Sequence, residues 1–410
     1  MRVLRLCSVF EAPEPALRGR GARFDPIGGM QDHTAALTRA LGRWGVVQVV
    51  LTARRPTAAS VERLGAHASV VRVGLPVIRA RQLYALPALA LAPALARRAD
   101  LVHAHLGEDL AVLPLAVLAA GRRRLPLVIT VHCSLTHTLG VRDVRTAVLK
   151  TFGGGIERWA ERRAAATVVL TSQMADRLRR DPGLERVHVI RRGVDRRAFV
   201  DPGPDPFAEI AGGPRVVFLG RLARAKGVEP LIAAASRLRT PGVQLVLVGD
   251  GPERQRVERA ARRLGIAEQV HITGFVAHER VPAVLAASDL LVLPSLYEEL
   301  GTVLIEAMQL GLPTVASRVG GIPELLRHGE LGILVPPGDA DALAAAIDTV
   351  LTDRELARRL GAAALRRAPD YDWDRAAREI HDIYTQAVDH SHARPPVTRA
   401  GSFADRLWPA

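Results

Sequence analysis

Apolar residues recur along this chain in two alternating patterns, as short continuous runs and as longer stretches with a helical period. The runs predict strands near 2–9, 46–52, 69–73, 100–105, 126–131, 166–170, 187–190, 215–220, 243–248, 269–272, 289–293, 313–316 and 332–335. The helical stretches predict helices near 29–43, 82–98, 109–120, 143–164, 172–180, 228–239 and 303–310. Regular alternation of strands and helices is typical of parallel sheets covered by helices on both faces. The chain is therefore predicted to be an α/β protein with two doubly wound, Rossmann-like domains.

One segment interrupts the alternation. Residues 195–214 are rich in proline, glycine and aspartate, which is typical of an interdomain linker. We therefore predict a first domain over 1–195, a linker over 196–213, a second domain over 214–372 and a one-sided final helix over 373–389. Residues 390–410 have no periodic pattern and are predicted to be a disordered tail.

The composition is strongly basic, with 56 lysines and arginines against 42 acidic residues and a formal net charge of +14. The arginines are spread along predicted helices with few aromatic residues between them, so the stacking platforms of single-strand nucleic-acid binders are missing. We therefore expect small-molecule partners and no nucleic acid. Peripheral contact of the basic surface with a membrane stays open, and the sequence does not indicate an oligomeric state.

The sequence also bears on compartment. Its longest apolar runs are short and interrupted by prolines, so no membrane span is predicted. Residues 1–9 alternate as a strand does and lack the pattern of a signal peptide. A cytoplasmic protein is therefore expected, and the two cysteines, Cys7 and Cys133, are expected to be free thiols.

The richest candidate chemistry lies between Pro294 and Glu324, where a loop, a helix and a second strand follow an apolar strand. Glu298 in the loop and Glu306 in the helix are separated by seven residues. Ligands of open parallel sheets bind outside the carboxyl ends of the strands, where this loop is expected. The helix entrance at Gly301 and Thr302 offers backbone N–H groups to a phosphate, and a carboxylate such as that of Glu306 accepts hydrogen bonds from a ribose diol. The stretch therefore predicts a nucleotide-sugar site.

A second candidate lies between Phe218 and Gly227. Lysine occurs only at positions 150 and 226 in a chain that otherwise uses arginine. Lys226 supplies a compact charge and Arg221 a forked one, both suited to a diphosphate, although a solvated surface pair is the alternative. The turn with Gly249 and Gly251 lacks the third glycine of a dinucleotide fingerprint, so by itself it is a weak signal.

Polar residues also follow the strands of the first half. His103 and His105 alternate to the same side of a strand, but no third ligand is expected nearby, so no metal site is predicted. Glu108 and Asp109 could cap the next helix or reach a ligand. His132 could donate a hydrogen bond to a sugar hydroxyl or be a half-buried strand histidine.

These motifs resemble those of the retaining family 4 glycosyltransferases, which have two Rossmann-like domains facing a crevice (the GT-B fold). The features that carry the resemblance are the two glutamates seven residues apart, the Gly-Arg-Leu…Lys-Gly segment at 220–227, the Gly-Gly pair after the first strand and the Thr-x-His at 130–132. The resemblance to the family extends over residues 1 to about 385. Arg191 and Arg192 depart from the pattern, because family members usually have Pro-Asn there.

The resemblance implies transfer of a hexose or N-acetylhexosamine from a nucleotide sugar, with retention of anomeric configuration and no metal or other cofactor. The resemblance also implies that the final helix returns to the first domain. The resemblance assigns catalysis to His132, Arg221, Lys226 and Glu298. It assigns donor binding to Gly28, Gly29, Gly249, Gly251, Gly301, Thr302 and Glu306.

The acceptor prediction starts from acidic residues in a basic chain. Asp25, Asp32, Glu108 and Asp109 lie at predicted ligand-facing strand ends, where a protonated amine would benefit from them. We therefore predict an acceptor site with Asp25, His105, Glu108 and Asp109. The segments 24–31 and 131–134 also resemble the enzymes that glycosylate 2-deoxystreptamine in aminoglycoside antibiotic assembly, which use UDP-N-acetylglucosamine or UDP-glucose.

Other functions stay open. The Gly-Gly-Met at 28–30 also resembles inositol-phosphate glycosyltransferases, and a membrane-lipid acceptor is another alternative within the family. A glycosidase that uses Glu298 and Glu306 would leave Lys226 and Arg221 without a task. A nucleotide-sugar epimerase on the same twin-domain fold is the remaining enzymatic alternative.

Overall fold

The computed structural model describes residues 1–10, 29–54, 59–75, 81–107, 109–134, 144–184, 186–210, 212–391 and 403–409. The chain forms two compact units. The first unit comprises Met1–Arg192 and Trp373–Ala410, and the second comprises Gly193–Asp372. Within the described ranges, no helix is both long and apolar enough to cross a membrane. Cys7 and Cys133 are free thiols.

The first unit is built on a single sheet. Its strands are β1 (Arg2–Cys7), β2 (Val47–Ala53), β3 (Val61–Arg63), β4 (Ala68–Val73), β5 (Leu101–Leu106), β6 (Leu127–Val131), β7 (Ala166–Val169) and β8 (Val187–Val189). Its helices in this part of the chain are α1 (Gly29–Arg43), α2 (Ala85–Leu95), α3 (Val112–Gly121), α4 (Val144–Glu161) and α5 (Ser172–Arg179). The strand order is β3-β4-β2-β1-β5-β6-β7-β8. The order reverses direction at β1 and β5, so this pair is the topological switch point where doubly wound sheets bind ligands.

The second unit repeats this plan. Its strands are β9 (Arg215–Leu219), β10 (Gln244–Val248), β11 (Val270–Gly274), β12 (Leu290–Leu293), β13 (Thr314–Ser317) and β14 (Ile333–Val335). Its helices are α6 (Val228–Ala235), α7 (Arg254–Arg263), α8 (Val281–Ala286), α9 (Thr302–Met308), α10 (Ile322–Leu325), α11 (Ala340–Thr352) and α12 (Arg354–Arg367). The parallel order β11-β10-β9-β12-β13-β14 has its switch point between β9 and β12.

Both sheets confirm the predicted fold class, and the strand at each predicted position is present. The central strands are buried on both faces, as in β5, where all six residues are buried. The structure adds β3, which pairs antiparallel with β4 at the sheet edge. All three residues of β3 are exposed, so it has no apolar run from which it could have been predicted.

The final helix, α13 (Trp373–Asp389), belongs to the first unit, which confirms the predicted return. Its apolar face packs with α1 in one core, through Ala377, Ile380 and Tyr384. The Tyr384 hydroxyl lies 2.6 Å from Nδ1 of the buried His103, whose Nε2 lies 2.8 Å from Thr130 Oγ1. His103 therefore anchors the returning helix to the sheet.

The predicted linker is not a linker in the structure. The chain passes between the units at Arg192/Gly193 and again at Asp372/Trp373, so residues 196–213 belong to the second unit. Phe199 and Phe207 in this segment are buried, and the Arg215 guanidinium donates to the Phe207 carbonyl oxygen at 3.0 Å. Proline and glycine here shape a segment that packs on its own unit.

The predicted disordered tail is also wrong for residues 403–409. Phe403–Leu407 forms a 3-10 helix, and Leu407 and Trp408 are buried in the core of the first unit. Arg98 holds the segment through its Nε, 3.3 Å from Asp405 Oδ1, and donates to the Asp405 carbonyl oxygen at 3.1 Å. A few buried side chains in so short a segment are too few to produce a period, which is why the sequence pattern did not show it. Residues 392–402 and 410 lie outside the described residues.

A buried carboxyl on α4 makes stability depend on pH. Burial, and then the neighbouring Glu157 and Asp181 carboxylates, raise the pKa of Glu161 from its ordinary 4.5 to about 7. The folded state therefore binds more protons than the unfolded state between these values, so stability falls as pH rises from 4.5 to about 7. We expect Glu161→Gln to raise the free energy of unfolding at pH 8 by up to about 3 kcal/mol, with little effect at pH 4.

Urea unfolding at both pH values measures this effect. Glu209→Gln, which changes an exposed carboxylate, is the matched control and should alter neither value. An equal effect of Glu161→Gln at both pH values would contradict the expected titration.

Candidate active site

The switch point of the second unit brings two distant loops together. Lys226 ends the 3-10 helix Arg224–Lys226 that follows β9, and Glu298 lies in the loop after β12. Lys226 Nζ donates to Glu298 Oε2 at 2.5 Å, and Ser295 Oγ donates to the same oxygen at 3.3 Å. Both charged side chains are partly buried, which weakens solvent screening of the pair. The structure therefore joins two predicted catalytic residues, 72 positions apart, directly.

Two glycines with positive φ allow these loops to approach. Gly227 has φ 66°, and a Cβ there would lie 1.9 Å from the Pro294 carbonyl oxygen. Gly320 has φ 53°, and a Cβ there would lie 1.6 Å from the Glu298 carbonyl oxygen. Any side chain at either position would push the Glu298 loop away from Lys226. These glycines therefore set the position of the carboxylate.

Arg221 differs from Lys226 in having no side-chain partner among the described residues. Its side chain is exposed and makes no hydrogen bond or ion pair with any described residue. The adjacent residues are well fixed, since Leu222 N donates to the Asp250 carbonyl oxygen at 3.0 Å. Arg221 is thus a cation on a rigid loop that can turn its forked donors to an anion.

The predicted donor-site glycines after β10 allow two neighbouring loops to pack closely. A Cβ at Gly249 would lie 2.0 Å from the Gly220 carbonyl oxygen, and one at Gly251 would lie 2.3 Å from the Leu222 carbonyl oxygen. Close packing of the loops after β9 and β10 requires both glycines. Their contact with a nucleotide stays a prediction.

Glu306 lies in the short helix α9, and its residue is 5 % exposed. Its Oε1 is 3.9 Å from His278 Nε2, a contact that carries charge only when the histidine is protonated. Gly301, with φ 79°, is the N-cap residue, and no side chain caps the helix before Thr302. Glu306 is therefore a buried carboxylate within α9, and its contact with a ribose stays a prediction.

In the first unit, polar side chains meet at the carboxyl ends of β1, β5 and β6. His105 Nδ1 lies 3.1 Å from His132 Nε2. Arg5 of β1 approaches the other nitrogen of His105, with NH2 2.6 Å and Nε 3.3 Å from Nε2. Burial, and then the Arg192 and Arg5 charges, lower the pKa of His132 to about 3. His132 is therefore neutral near pH 7 and carries a single N–H.

This arrangement changes the predicted role of His105. Its side chain is fully buried and both ring nitrogens have protein partners, so it offers neither nitrogen to an acceptor. His132 is 8 % exposed, and its Nδ1 has no partner among the described residues. Only the outer of the two histidines can therefore meet a ligand.

Sequence reasoning missed His33 and Arg5. His33 of α1 packs edge-on against the His132 ring, with centroids 4.6 Å apart, and its buried Nδ1 has no partner in the described part of the chain. The expectation that His105 has no third histidine nearby is thus wrong, because His33, His105 and His132 place ring nitrogens within 4.8 Å of one another. A histidine on the first helix one turn beyond the Gly-Gly pair was the available signal.

The predicted acceptor residues have mixed outcomes. Asp109 is buried, and its Oδ1 accepts from Ala111 N at 2.9 Å, so it caps the turn before α3. Asp32 lies in the first turn of α1, where the helix dipole stabilises a negatively charged carboxylate. Gly29 is the first residue of α1. Three other predicted residues, Asp25, Gly28 and Glu108, lie outside the described residues.

Comparisons with known proteins bear on both units. Residues 27–197 match the family described as Glycosyltransferase Family 4, and residues 205–367 match Glycosyl transferases group 1. The 2-deoxystreptamine N-acetyl-D-glucosaminyltransferase of Streptomyces fradiae is 34% identical over 388 residues, which cover 89% of this chain and 92% of that protein. The chain belongs to this glycosyltransferase family.

Two further relatives of this glycosyltransferase are informative. The 2-deoxystreptamine glucosyltransferase of Streptomyces kanamyceticus is 32% identical over 352 residues, covering 79% of this chain and 90% of that protein. The crystal structure of Anabaena HepE in complex with UDP-glucose has a TM-score of 0.72 and 22% identity, and the match covers 94% of this chain and all of that one. This structural similarity supports the GT-B fold of the glycosyltransferase.

Proposed function

We propose that this glycosyltransferase transfers a hexose or N-acetylhexosamine from a UDP-sugar to a small hydroxylated acceptor, with retention at the anomeric carbon. The bond from Lys226 to Glu298 across the β9–β12 switch point carries the proposal. An ammonium group has three donors, and Glu298 Oε2 uses one of them. Lys226 can therefore orient Glu298 and still bind a diphosphate oxygen.

The charged side chains of the second unit contact different parts of the donor in this proposal. Lys226 and the exposed Arg221 neutralise the diphosphate as it leaves, so that no divalent metal is needed. Glu298, fixed from one side by Lys226, accepts hydrogen bonds from hydroxyls of the transferred sugar. Glu306, fixed within α9, accepts them from the ribose. A bound UDP-glucose in the structurally similar HepE is consistent with a donor of this class.

The rival hydrolase is less well supported by the same geometry. A glycosidase needs one of its carboxyl groups protonated as the acid, with the other free to act as base or nucleophile. The hydrogen bond from Lys226 occupies one oxygen of Glu298, so that oxygen is not free to act as the acid, base or nucleophile. A sugar-binding role fits a carboxylate oriented in this way better.

For the acceptor, the relatives from Streptomyces point to an aminocyclitol. The experiment is to supply the purified enzyme with UDP-N-acetylglucosamine or UDP-glucose, together with 2-deoxystreptamine or inositol 3-phosphate. We expect glycosylation of 2-deoxystreptamine, an α-linked product by NMR coupling constants and unchanged rates in EDTA. Transfer only to the phosphate would contradict the acceptor assignment. Release of free sugar or an isomerised donor would contradict glycosyl transfer.

The split between the two glutamates gives a separate prediction. Glu306→Gln should weaken binding of UDP alone about tenfold, because it removes a charged acceptor from the ribose diol. Glu298→Gln should leave UDP affinity nearly unchanged and lower kcat, because the sugar is absent from UDP. Calorimetry with UDP and steady-state kinetics measure the two effects. An equal loss of UDP affinity in both variants would contradict the assignment.

A further inference from the structure

Arg5 sets the direction of a buried chain of hydrogen bonds. A guanidinium group only donates, so the two Arg5 nitrogens at 2.6 and 3.3 Å require His105 Nε2 to carry a lone pair rather than a proton. The ring proton of neutral His105 therefore lies on Nδ1. That N–H faces His132 Nε2 at 3.1 Å, which must accept it. The proton of neutral His132 is consequently on Nδ1.

The position of Arg5 is itself determined by several contacts. Its NH1 donates to Gln48 Oε1 at 3.2 Å, to the Thr34 carbonyl oxygen at 3.4 Å and to Thr38 Oγ1. Gln48 is oriented in turn, because its Nε2 donates to the Thr38 carbonyl oxygen at 2.9 Å. Arg5 is 1 % exposed, so it cannot turn away without leaving these groups unpaired in the core.

We propose that Arg5 and His105 are positioning residues that hold His132 in the Nδ1–H tautomer, so that His132 meets its ligand as a hydrogen-bond donor and never as a base. This inference rests on the proposed role of His132 in glycosyl transfer. His105 passes the constraint through its ring because a neutral imidazole carries only one proton, and that proton faces His132 Nε2 at 3.1 Å. The planes of the two rings are inclined by 28°, with centroids 5.4 Å apart. Neither Arg5 nor His105 touches the substrate.

The tautomer has a consequence for the reaction. A neutral His132 with its free nitrogen protonated donates to a sugar hydroxyl and cannot remove the acceptor proton. As the bond from the anomeric carbon to the diphosphate oxygen breaks and the bond to the acceptor oxygen forms, the acceptor proton must go elsewhere. The leaving diphosphate oxygen takes it, and the products are the glycoside and UDP.

The same bonds argue against a metal at His33, His105 and His132. A ligand nitrogen needs a free lone pair, and His105 could offer one from Nδ1 only by moving its proton to Nε2. That proton would then face the Arg5 donors at 2.6 Å. A metal cation would also lie close to the buried guanidinium, with repulsion that the core does not screen.

The test is the protonation state of each histidine in the full-length protein, read by nitrogen-15 NMR with labelled histidine. We expect His132, identified by the signal lost in His132→Gln, to be neutral at pH 7 with its proton on Nδ1. Addition of Zn²⁺ at equimolar concentration should leave these signals unchanged. A proton on Nε2 of His132, or shifts of the three histidines with zinc, would overturn the inference.

Two substitutions at one position separate positioning from packing. The amide of Asn at position 105 reaches the place of Nδ1 and can donate to His132, whereas the amide of Gln reaches the place of Nε2 and contacts only Arg5. We expect His105→Gln to mix the His132 tautomers and lower kcat about tenfold with unchanged donor KM. His105→Asn should keep the Nδ1–H tautomer and most of kcat. Equal loss in both variants, with the tautomer unchanged, would show that His105 only packs.

His103→Gln is the matched control, since His103 is an equally buried histidine on the same strand. It should lower Tm through the lost bond from Nδ1 to Tyr384, because the Gln amide reaches only the place of Nε2, and it should leave the His132 tautomer unchanged. The NMR measurement needs no donor or acceptor. If His132 has the expected tautomer but no UDP-sugar is used, the proposed function fails and the tautomer assignment stands. If the enzyme transfers sugar while His132 carries its proton on Nε2, the tautomer assignment fails and the proposed function stands.

Discussion

Lys226→Ala and Arg221→Ala should each lower kcat/KM for the donor by roughly 100-fold or more while the protein stays folded. Each removes a charge-assisted contact that is strongest as the diphosphate leaves, on the order of 3 kcal/mol. Lys226→Ala has a second effect, because Glu298 loses the donor that orients its carboxylate. We therefore expect the lysine variant to be the slower one. Steady-state kinetics with a UDP-sugar measures both losses.

The chain offers matched controls for both changes. Lys150→Ala removes the only other lysine, which lies on α4 in the first unit. Arg359→Ala removes an exposed arginine from α12 in the same unit as Arg221. Both controls should keep wild-type rates. Wild-type turnover in Lys226→Ala or Arg221→Ala would contradict the donor-site assignment.

Removal of residues 403–410 should destabilise the first unit strongly, although the segment lies at the end of the chain. Leu407 and Trp408 are 5 % and 4 % exposed and pack in its core. Truncation of a buried tryptophan alone costs about 3–5 kcal/mol, a large share of the stability of a typical domain. We expect the deletion to lower Tm by at least several degrees, as measured by calorimetry.

A pair of aromatic substitutions tests the same contact without deletion. Trp408→Ala should approach the loss seen on truncation. Phe403→Ala, in the same 3-10 helix but 66 % exposed, should change the free energy of unfolding by less than about 0.5 kcal/mol. Equal effects of the two substitutions would mean that Trp408 does not pack as the structure shows.

Most of the fold could be predicted from the pattern of apolar residues along the chain, because a strand that is buried on both faces needs a continuous apolar run. β5 and β12 are buried throughout, and both lie at their predicted positions. The failures occurred where burial depends on a few separated side chains. Phe199 and Phe207 are buried in the segment predicted as a linker, and Trp408 in the segment predicted as disordered. A single anchored aromatic residue produces no period.

The candidate site shows the same division. Lys226 and Glu298 could be selected because each follows a strand and has a side chain suited to a diphosphate sugar. Their hydrogen bond could not be predicted, because it depends on β9 and β12 being neighbours in the sheet. The place of Asp109 before a helix is typical of a capping residue, and in the structure its Oδ1 accepts from Ala111 N.

The sequence by itself determined the alternation of strands and helices, and which chemically apt residues lie at strand ends, because both are local properties of the chain. The tertiary structure decided which of these residues meet. Arg5, a basic residue within a strand pattern, gave no signal, yet its partners come from 29 to 100 residues away. Its role exists only where folding has removed water, since a buried guanidinium must be hydrogen-bonded and can only donate. The proton position on His132 follows from that constraint and from no local pattern.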